Sequence, residues 1–193
     1  MRALTSCDIL ISGGGIAGLT AAAAFGSAGF DVICVDPAPP VTEREADGSD
    51  MRTTAMLQPA RTLLDRAGLW EALAPHAAAL DVMQIVDAGG KNGAAREVKA
   101  FRASDVSDLP FGWNFPNWRL RREMVARLGA LPNVDFRPGT GTKSLLARTA
   151  EARVGLSDGP RVSARLVIAA AGRGPPLRPA AGVCVDTRPQ RPT

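Results

Sequence analysis

The sequence predicts an α/β fold that opens with a Rossmann-like βαβ unit. A short apolar strand at 9–11 is followed by a glycine-rich turn, a helix of small residues from Ile16, and a second strand, Phe30 to Val35, that ends in Asp36. Apolar residues at 16, 19 and 23 repeat with helical spacing, whereas both strands are short continuous apolar runs. Such runs on either side of a helix are typical of buried parallel strands.

The spacing of three glycines in the turn indicates a dinucleotide site. Gly13, Gly15 and Gly18 match G-x-G-x-x-G, in which the glycines permit a tight turn, a close approach of backbone to pyrophosphate, and packing of helix on strand. The helix N-terminus offers unpaired N–H groups and the positive end of its dipole to the phosphates. Asp36 stands eighteen residues beyond Gly18, where a carboxylate accepts hydrogen bonds from an adenosine ribose and repels a 2′-phosphate. The motif predicts an adenine dinucleotide without identifying it.

Length and composition are those of a globular domain with a packed core: 193 residues, 46% hydrophobic and 22% charged. No apolar run near the start approaches the ~20 residues that cross a bilayer, and no signal-like segment is recognised. We therefore expect a cytoplasmic location, and we leave open a peripheral contact with the inner membrane. Cys7, Cys34 and Cys184 form no C-x-x-C pair, and the first two lie beside predicted strands, so we expect buried thiols.

The charge distribution argues against nucleic-acid binding. The net charge is +4, but residues 161–193 contain six arginines and one aspartate, which leaves a net charge of −1 for residues 1–160. No basic face with interleaved aromatic residues is visible, and the chain has no tyrosine. The single histidine, His76, lies in a predicted loop without the motifs of a Ser-His-Asp or multi-histidine metal site. We therefore assign no catalytic acid–base residue and no metal ligand.

Two further elements follow the βαβ unit and its polar connection. Residues 56–73 place leucines on one face of a predicted amphipathic helix, with Pro59 in the first turn and Gly68 as a break. Residues 82–101 alternate as a β-hairpin. Three glycines in its turn are expected to supply positive φ: Gly89, Gly90 and Gly93.

The second half is predicted to continue with a loop, a helix and strands. The polar segment 104–118 leads into a helix at 120–131 with an apolar stripe. Beyond Pro132, short alternating segments predict three antiparallel strands, and the run LVIAAA is apolar on both faces, as a central parallel strand is. The proline- and arginine-rich stretch 174–193 predicts a tail without a packed core.

Several segments together resemble one enzyme family. Asp50 to Leu57 (DMRTTAML), followed by LLDRAGLW, resembles the D-x-R-x-x-A-L … L-x-x-x-G-x-W stretch of the ubiquinone-biosynthesis hydroxylases. These are a branch of the class A FAD-dependent aromatic monooxygenases with the p-hydroxybenzoate hydroxylase fold. NFPNWRLRREMVARL is similar to the family helix that carries a flavin-contacting polar residue, here Arg121, and SDGPRVSARLVIAAAGR is similar to its hairpin and following strand. The resemblance covers residues 4 to about 183, the N-terminal half of the family fold.

The resemblance implies a Rossmann-like FAD-binding domain with a β-meander and part of an antiparallel substrate-domain sheet. It implies hydroxylation of a small aromatic or polyprenyl-phenol substrate, with NAD(P)H as a transient electron donor and O₂ as oxidant, while the protein mainly positions and desolvates the reactants. Trp113 and Trp118 either bound such a substrate or pack in the core. The residues that the resemblance places at the cofactor are Gly13, Gly15, Gly18, Asp36, Arg52, Arg121 and Arg173.

The chain departs from the family pattern in two respects. The family strand ends as G-A-D-G-R-x-S-x-x-R, whereas this chain has AAAGRGPPLR, so Ala171 replaces the aspartate and Pro175 the serine. The C-terminal half of the family fold is also missing, so we expect this chain alone to bind FAD weakly and not to hydroxylate, as a truncated form or as a fragment completed by a second polypeptide. The implied division is a FAD-binding βαβ unit and helix at 1–75, a substrate-side hairpin and loop at 76–115, a return to the FAD-binding domain at 116–175, and a tail at 176–193.

Two alternative functions remain open from the sequence. An NAD-dependent oxidoreductase would use the same opening motif, although a plain Rossmann domain would continue with a further βα repeat where this chain has the hairpin. A nucleotide-binding remnant without catalysis would tolerate the loss of the aspartate at position 171. Identifying the bound cofactor would distinguish an NAD-dependent oxidoreductase from a flavin-dependent hydroxylase. Measuring turnover would distinguish a non-catalytic remnant from an active hydroxylase.

Overall fold

The computed structural model describes residues 4–172 and 177–183. Its strands are β1 (Leu4–Ser12), β2 (Val32–Asp36), β3 (Thr53–Leu57), β4 (Ala78–Ala79), β5 (Val82–Asp87), β6 (Glu97–Arg102), β7 (Gly112–Pro116), β8 (Val134–Pro138), β9 (Thr142–Ala147), β10 (Ala152–Leu156) and β11 (Arg161–Ala169). Its α-helices are α1 (Ile16–Ser27), α2 (Gln58–Arg66), α3 (Trp70–Leu73), α4 (Asn117–Gly129) and α5 (Leu177–Ala180). The main sheet has the order β8-β2-β1-β11-β10-β9, and two smaller sheets are β3-β7-β4 and β5-β6.

The predicted βαβ unit forms the centre of the main sheet. β1 lies between β2 and β11 and runs parallel to both. Ile9 and Ile11 join the core on the side of α1, whereas Leu10 joins the core on the opposite face, so the strand is buried on both faces. Each such buried side chain contributes about 1.5–3 kcal/mol to folding. α1 packs on the sheet through its small face: Gly18, Leu19, Ala22, Ala23 and Gly26.

The predicted meander completes the sheet on the other side of β1. β9, β10 and β11 are consecutive antiparallel neighbours, and β11 then runs parallel to β1, with Leu4 opposite Arg161 and Ser12 opposite Ala169. β8 lies outside the meander at the far edge, where it pairs parallel with β2. The carboxyl ends of four parallel strands, β8, β2, β1 and β11, therefore meet at one edge of the sheet.

The predicted start of the helix at 56–73 is wrong, because residues 56 and 57 belong to β3, which pairs antiparallel with β7. The predicted break at Gly68 is confirmed: φ is +68° there, and it separates α2 from α3. β7 lies in the segment 104–118 that was predicted as a loop, and α4 begins at Asn117, three residues earlier than predicted. β3 and β7, some sixty residues apart, stabilise each other through this pairing. The local periodicity of either segment does not predict a pairing with so distant a partner.

The hairpin at 82–101 is present as β5 and β6, but its turn differs from the prediction. Positive φ occurs at Asn92 and Gly93, whereas Gly89 and Gly90 have ordinary φ values. Asparagine tolerates the left-handed region of backbone conformation because its short polar side chain can form local hydrogen bonds. Many apolar side chains of the hairpin are exposed: Val82, Met83, Ile85, Val86, Val98 and Phe101.

Trp113 packs with other aromatic residues. Its ring meets the Trp70 ring edge-on, with centroids 5.1 Å apart, and the Arg61 guanidinium lies over both rings. Phe115 is fully buried under the same cluster, 6.3 Å from Trp70. Trp118 is half-buried, and the guanidinium of Arg119 lies 4.5 Å from its ring centroid. These contacts favour the core interpretation of Trp113.

The cysteines and the histidine are the remaining chemical groups that the sequence singles out, and the Cys34 thiol donates to the carbonyl of Gly13 at 3.9 Å. Cys34 is buried and Cys7 half-buried, and burial raises the pKa of their thiols to about 12 and about 11. Cys184 lies outside the described residues, and His76 is exposed in a short 3₁₀ turn. Within 4–172 and 177–183, no helix combines the length and apolar character needed to cross a bilayer.

The predicted tail contains a packed residue, Leu177, which corrects the expectation of a tail without a packed core; residues 174–176 before it lie outside the described residues. Leu177 opens the short helix α5 and is buried, and α5 packs against β9. The burial of an apolar side chain such as that of Leu177 stabilises the packed position. Residues 184–193 of the predicted tail lie outside the described part of the chain.

Candidate functional site

The glycine turn joins the carboxyl end of β1 to the start of α1. Gly13 has φ +123°, and a Cβ there would lie 2.5 Å from the carbonyl carbon of Ala170. A Cβ at Gly18 would overlap the carbonyl oxygen of Gly13. Both positions therefore require glycine, the first for its backbone conformation and the second for the contact between helix and strand.

Gly15 differs from its neighbours because the space in front of it is open. It is the N-cap of α1, with φ −74° and ψ 179°, and a Cβ there would meet no atom within 4 Å. No side chain in the described part of the chain caps the first N–H groups of the helix. The turn thus presents bare backbone donors, and the positive end of the helix dipole, to a group arriving from outside.

Asp36 is held against the same turn. The backbone N–H of Gly14 donates to its Oδ2 (2.5 Å), and the backbone N–H of Ala38 donates to its Oδ1 (2.8 Å). A Cβ at Gly14 would lie 2.8 Å from the Cβ of Asp36. Sequence reasoning missed this requirement at Gly14, which the consecutive triplet of glycines could have signalled. The carboxylate is fixed beside the turn and keeps oxygen lone pairs for further donors.

Arg52 and Arg121 lie together at a second centre, the carboxylate of Asp50. Nε and Nη2 of Arg52 donate to Oδ1 and Oδ2 of Asp50 at 2.8 and 2.9 Å. Nη2 of Arg121 lies 3.4 Å from Oδ2, and Nδ2 of Asn117 donates to the same oxygen at 2.9 Å. Two permanent cations thus share one carboxylate, so the group carries a net positive charge.

Asp50 and Asn117 were not among the predicted site residues. The hydrogen bonds from Arg52 and then from Asn117 hold the pKa of the Asp50 carboxyl far below its usual range. Asn117 is buried at the start of α4, where its Oδ1 accepts a hydrogen bond from Thr54 (2.6 Å) and its backbone N–H donates to the carbonyl of Arg52. The position of Asp50 in the D-x-R segment could have identified it as a site residue. No local sequence pattern identifies Asn117 in the same way.

An apolar groove connects the surroundings of the glycine turn with those of Asp50. Thr54 lines this apolar groove of about 830 Å³ together with Ile16 and Ala17 from the first turn of α1. Thr54 in turn bonds to Asn117, which reaches Asp50. Among the described residues, no hydrogen bond or ion pair joins Arg52 or Arg121 directly to the glycine turn or Asp36.

The segment that departs from the family pattern runs beside the glycine turn. The backbone N–H of Ala170 donates to the carbonyl of Ser12 at 2.7 Å, and Ala170 touches Gly13. The backbone nitrogen of Ala171 lies against the turn, 2.7 Å from where a Cβ at Gly13 would stand, and this residue has a methyl group where the family pattern has a carboxylate. Arg173 and Pro175 lie outside the described residues, and the role of Arg173 at the cofactor stays a prediction.

Comparisons with known proteins agree with this architecture. The chain is 32% identical to the ubiquinone hydroxylase UbiL of Rhodospirillum rubrum over 180 residues, and 27% identical to the ubiquinone hydroxylase UbiM of Neisseria meningitidis over 183 residues. Each match covers 93% of this chain, but the chain spans only about 40% of the length of these curated relatives.

The fold has counterparts among solved structures. The p-nitrophenol 4-monooxygenase PnpA of Pseudomonas putida superposes with a TM-score of 0.75 at 20% identity, over 93% of this chain and 44% of that one. The sequence profile of the FAD binding domain family matches residues 6–190, nearly the whole chain. The chain therefore belongs to the FAD binding domain family, and its cofactor is FAD.

Proposed function

We propose that this chain is the FAD-binding part of a monooxygenase that hydroxylates an aromatic ring of a ubiquinone precursor, with NAD(P)H as electron donor and O₂ as oxidant. The two curated relatives support this proposal, because both are named as ubiquinone hydroxylases and both match 93% of the chain. The observation that carries the cofactor assignment is the glycine turn, which leaves an uncapped helix N-terminus open to a diphosphate.

The described residues fit the ADP half of FAD. The open position at Gly15 allows a phosphate to approach the backbone donors of α1, which a side chain would obstruct. Asp36 is anchored through two backbone N–H groups, so its carboxylate is available to ribose hydroxyls without reorganising. A 2′-phosphate would meet this negative charge, and the site therefore favours FAD over a 2′-phosphorylated nucleotide.

In the proposed reaction, bound FAD supplies the redox chemistry by accepting electrons from the nicotinamide and activating O₂. The residues of this chain bind and orient it. α1 and the glycine turn hold the diphosphate, Asp36 holds the ribose, and the positive charge of Arg52 and Arg121 favours the anionic parts of the cofactor. Among the described residues, none is assigned a proton-transfer role.

We expect the 193-residue chain by itself to bind FAD weakly and not to hydroxylate. Its relatives are considerably longer than this chain, and Ala171, whose backbone adjoins the glycine turn, has a methyl group in place of the family carboxylate. A second polypeptide that supplies the remaining part of the fold is one way in which activity would arise. We also propose a peripheral contact of the protein with the inner membrane. The division of the chain at 1–75, 76–115, 116–175 and 176–193 is likewise a proposal.

The test is an absorbance and turnover measurement on the purified chain. In equilibrium dialysis against FAD, which also detects a weakly bound ligand, the protein side should hold excess flavin with a visible band that heating releases, whereas bound NAD would leave none. Failure to retain or titrate FAD at any concentration would overturn the cofactor assignment. Substrate-dependent NAD(P)H oxidation by the chain alone would overturn the expectation of inactivity.

A second candidate is nucleotide binding without turnover, which Ala171 favours because the replaced aspartate is lost beside the cofactor turn. The two candidates differ when the C-terminal portion of UbiL, which lies beyond the matched region, is fused to this chain. Hydroxylation by the fusion supports the monooxygenase. Tight FAD binding without hydroxylation supports the remnant.

A further inference from the structure

Asp50 is the point at which three separate segments meet. It follows the connection after β2, it precedes β3, and it accepts hydrogen bonds from residues 117 and 121, which lie one turn apart on α4. Its side chain is only 11% exposed, although it carries a full negative charge. A carboxylate in that position is stable because four side-chain N–H contacts from Arg52, Asn117 and Arg121 surround it.

The Arg52 side chain has the opposite character. It is 83% exposed, yet Asp50 binds it through both Nε and Nη2. An exposed arginine ordinarily samples many rotamers, and holding it in one orientation costs entropy. A planar guanidinium bound along one edge directs its remaining N–H groups away from that edge. Asp50 therefore fixes the direction in which Arg52 presents its free donors.

The backbone reinforces this arrangement. The backbone N–H of Arg52 donates to Oδ1 of Asp50 (3.2 Å), and the carbonyl of Arg52 accepts from the backbone N–H of Asn117 (2.9 Å). Asn117 is buried and also bonded to Thr54, so the start of α4 and the start of β3 are held in register. Arg52 is thus oriented from both its main chain and its side chain.

The geometry points to Asp50 as a positioning residue for the cofactor: it orients Arg52, and with it Arg121, toward an anionic group of FAD. This inference rests on the proposed cofactor role of the chain. The removal of the carboxylate would increase the local positive charge, which alone would strengthen anion binding. If positioning dominates, affinity falls in spite of that gain.

A double-mutant cycle tests the inference. We would titrate FAD by fluorescence quenching with the wild-type chain, Asp50→Asn, Arg52→Gln and the double variant, and measure urea unfolding of each without FAD. If Asp50 acts through Arg52, each single variant weakens FAD binding about tenfold, and the double variant is no weaker than either one. A purely structural clasp would instead lower the urea midpoint of Asp50→Asn and leave its FAD affinity unchanged.

Glu151→Gln is the matched control. Glu151 pairs with Arg153 two residues further on, as Asp50 pairs with Arg52. It lines a cleft with Ser6, Cys7 and Asp8 of β1, and no residue of the glycine turn lines that cleft. The FAD affinity of the Glu151→Gln chain should equal that of the wild type. Additive effects of Asp50→Asn and Arg52→Gln on FAD affinity, or an equal loss of FAD affinity in the control, would overturn this inference. The proposed cofactor role would be unaffected by either result. If the wild-type chain does not bind FAD at all, the proposed cofactor role fails and the inference fails with it.

Discussion

Gly15 offers a test of the cofactor site that leaves the fold intact. Its φ of −74° and ψ of 179° are open to any residue, and an added Cβ would meet no atom within 4 Å. Gly15→Ala should therefore cost at most about 1 kcal/mol, the usual difference between glycine and alanine at an N-cap. The folded chain should remain available for a binding measurement.

The same methyl group would stand where a phosphate approaches the N-terminus of α1. The loss of one charge-assisted hydrogen bond between a backbone N–H and the diphosphate costs about 1.5–3 kcal/mol. At ~1.4 kcal/mol for each factor of ten, FAD binding should weaken by about 10- to 150-fold. The predicted loss in affinity is thus larger than the predicted loss in stability.

Fluorescence quenching of FAD provides the affinity, and urea unfolding the stability. Gly129→Ala is the control, because Gly129 ends α4 and a Cβ there also meets no atom within 4 Å. The control should bind FAD like the wild type. A Gly15→Ala chain that binds FAD within about twofold of the wild type would refute the assignment of the diphosphate to this turn.

Three further predictions concern the ribose, the core and pH. Asp36→Asn should weaken FAD binding about tenfold, because both carboxylate oxygens accept backbone N–H bonds and the amide turns a donor toward one of them; unchanged affinity would remove Asp36 from the site. Leu120→Ala, at a fully buried position, should lower the free energy of unfolding by about 2–5 kcal/mol in urea, and a loss below about 1 kcal/mol would contradict this packing. Because the folded-state pKa of Asp50 is depressed, its stabilisation is present above the usual value of 3.8 and is lost as pH falls toward the folded pKa, so the wild type should lose more stability than Asp50→Asn between pH 5 and pH 3. Equal losses in the two chains over that range would show that Asp50 is not coupled to folding.

The glycine turn was predictable because its physics is local. Gly13 needs a positive φ and Gly18 a close contact with the preceding turn, and both demands arise within six residues of chain. The helix is long enough for its apolar spacing to be recognised, and the two strands stand out as short continuous apolar runs. The requirement for glycine at position 14 arises from the side chain of Asp36, which folding places against the turn. The spacing of the G-x-G-x-x-G motif does not include this contact.

The β3–β7 pairing shows where local reading fails. Residues 53–57 continue into helical periodicity and residues 112–116 end in a proline, so neither segment predicts a strand on its own. Each becomes a strand because the other satisfies its backbone hydrogen bonds. The same pairing brings Arg52 next to Asn117, and thereby assembles the Asp50 centre from segments far apart in sequence.

By itself, the sequence determined the βαβ unit, the meander, the glycine turn with Asp36, and the family to which the chain belongs, because each depends on short patterns or on residues in order. Only the tertiary structure decided that Arg52 and Arg121 converge on Asp50, that Asn117 is buried beneath them, and that Trp113 packs against Trp70. The physical reason is that hydrogen bonds and burial act between groups that folding brings close, whatever their separation along the chain.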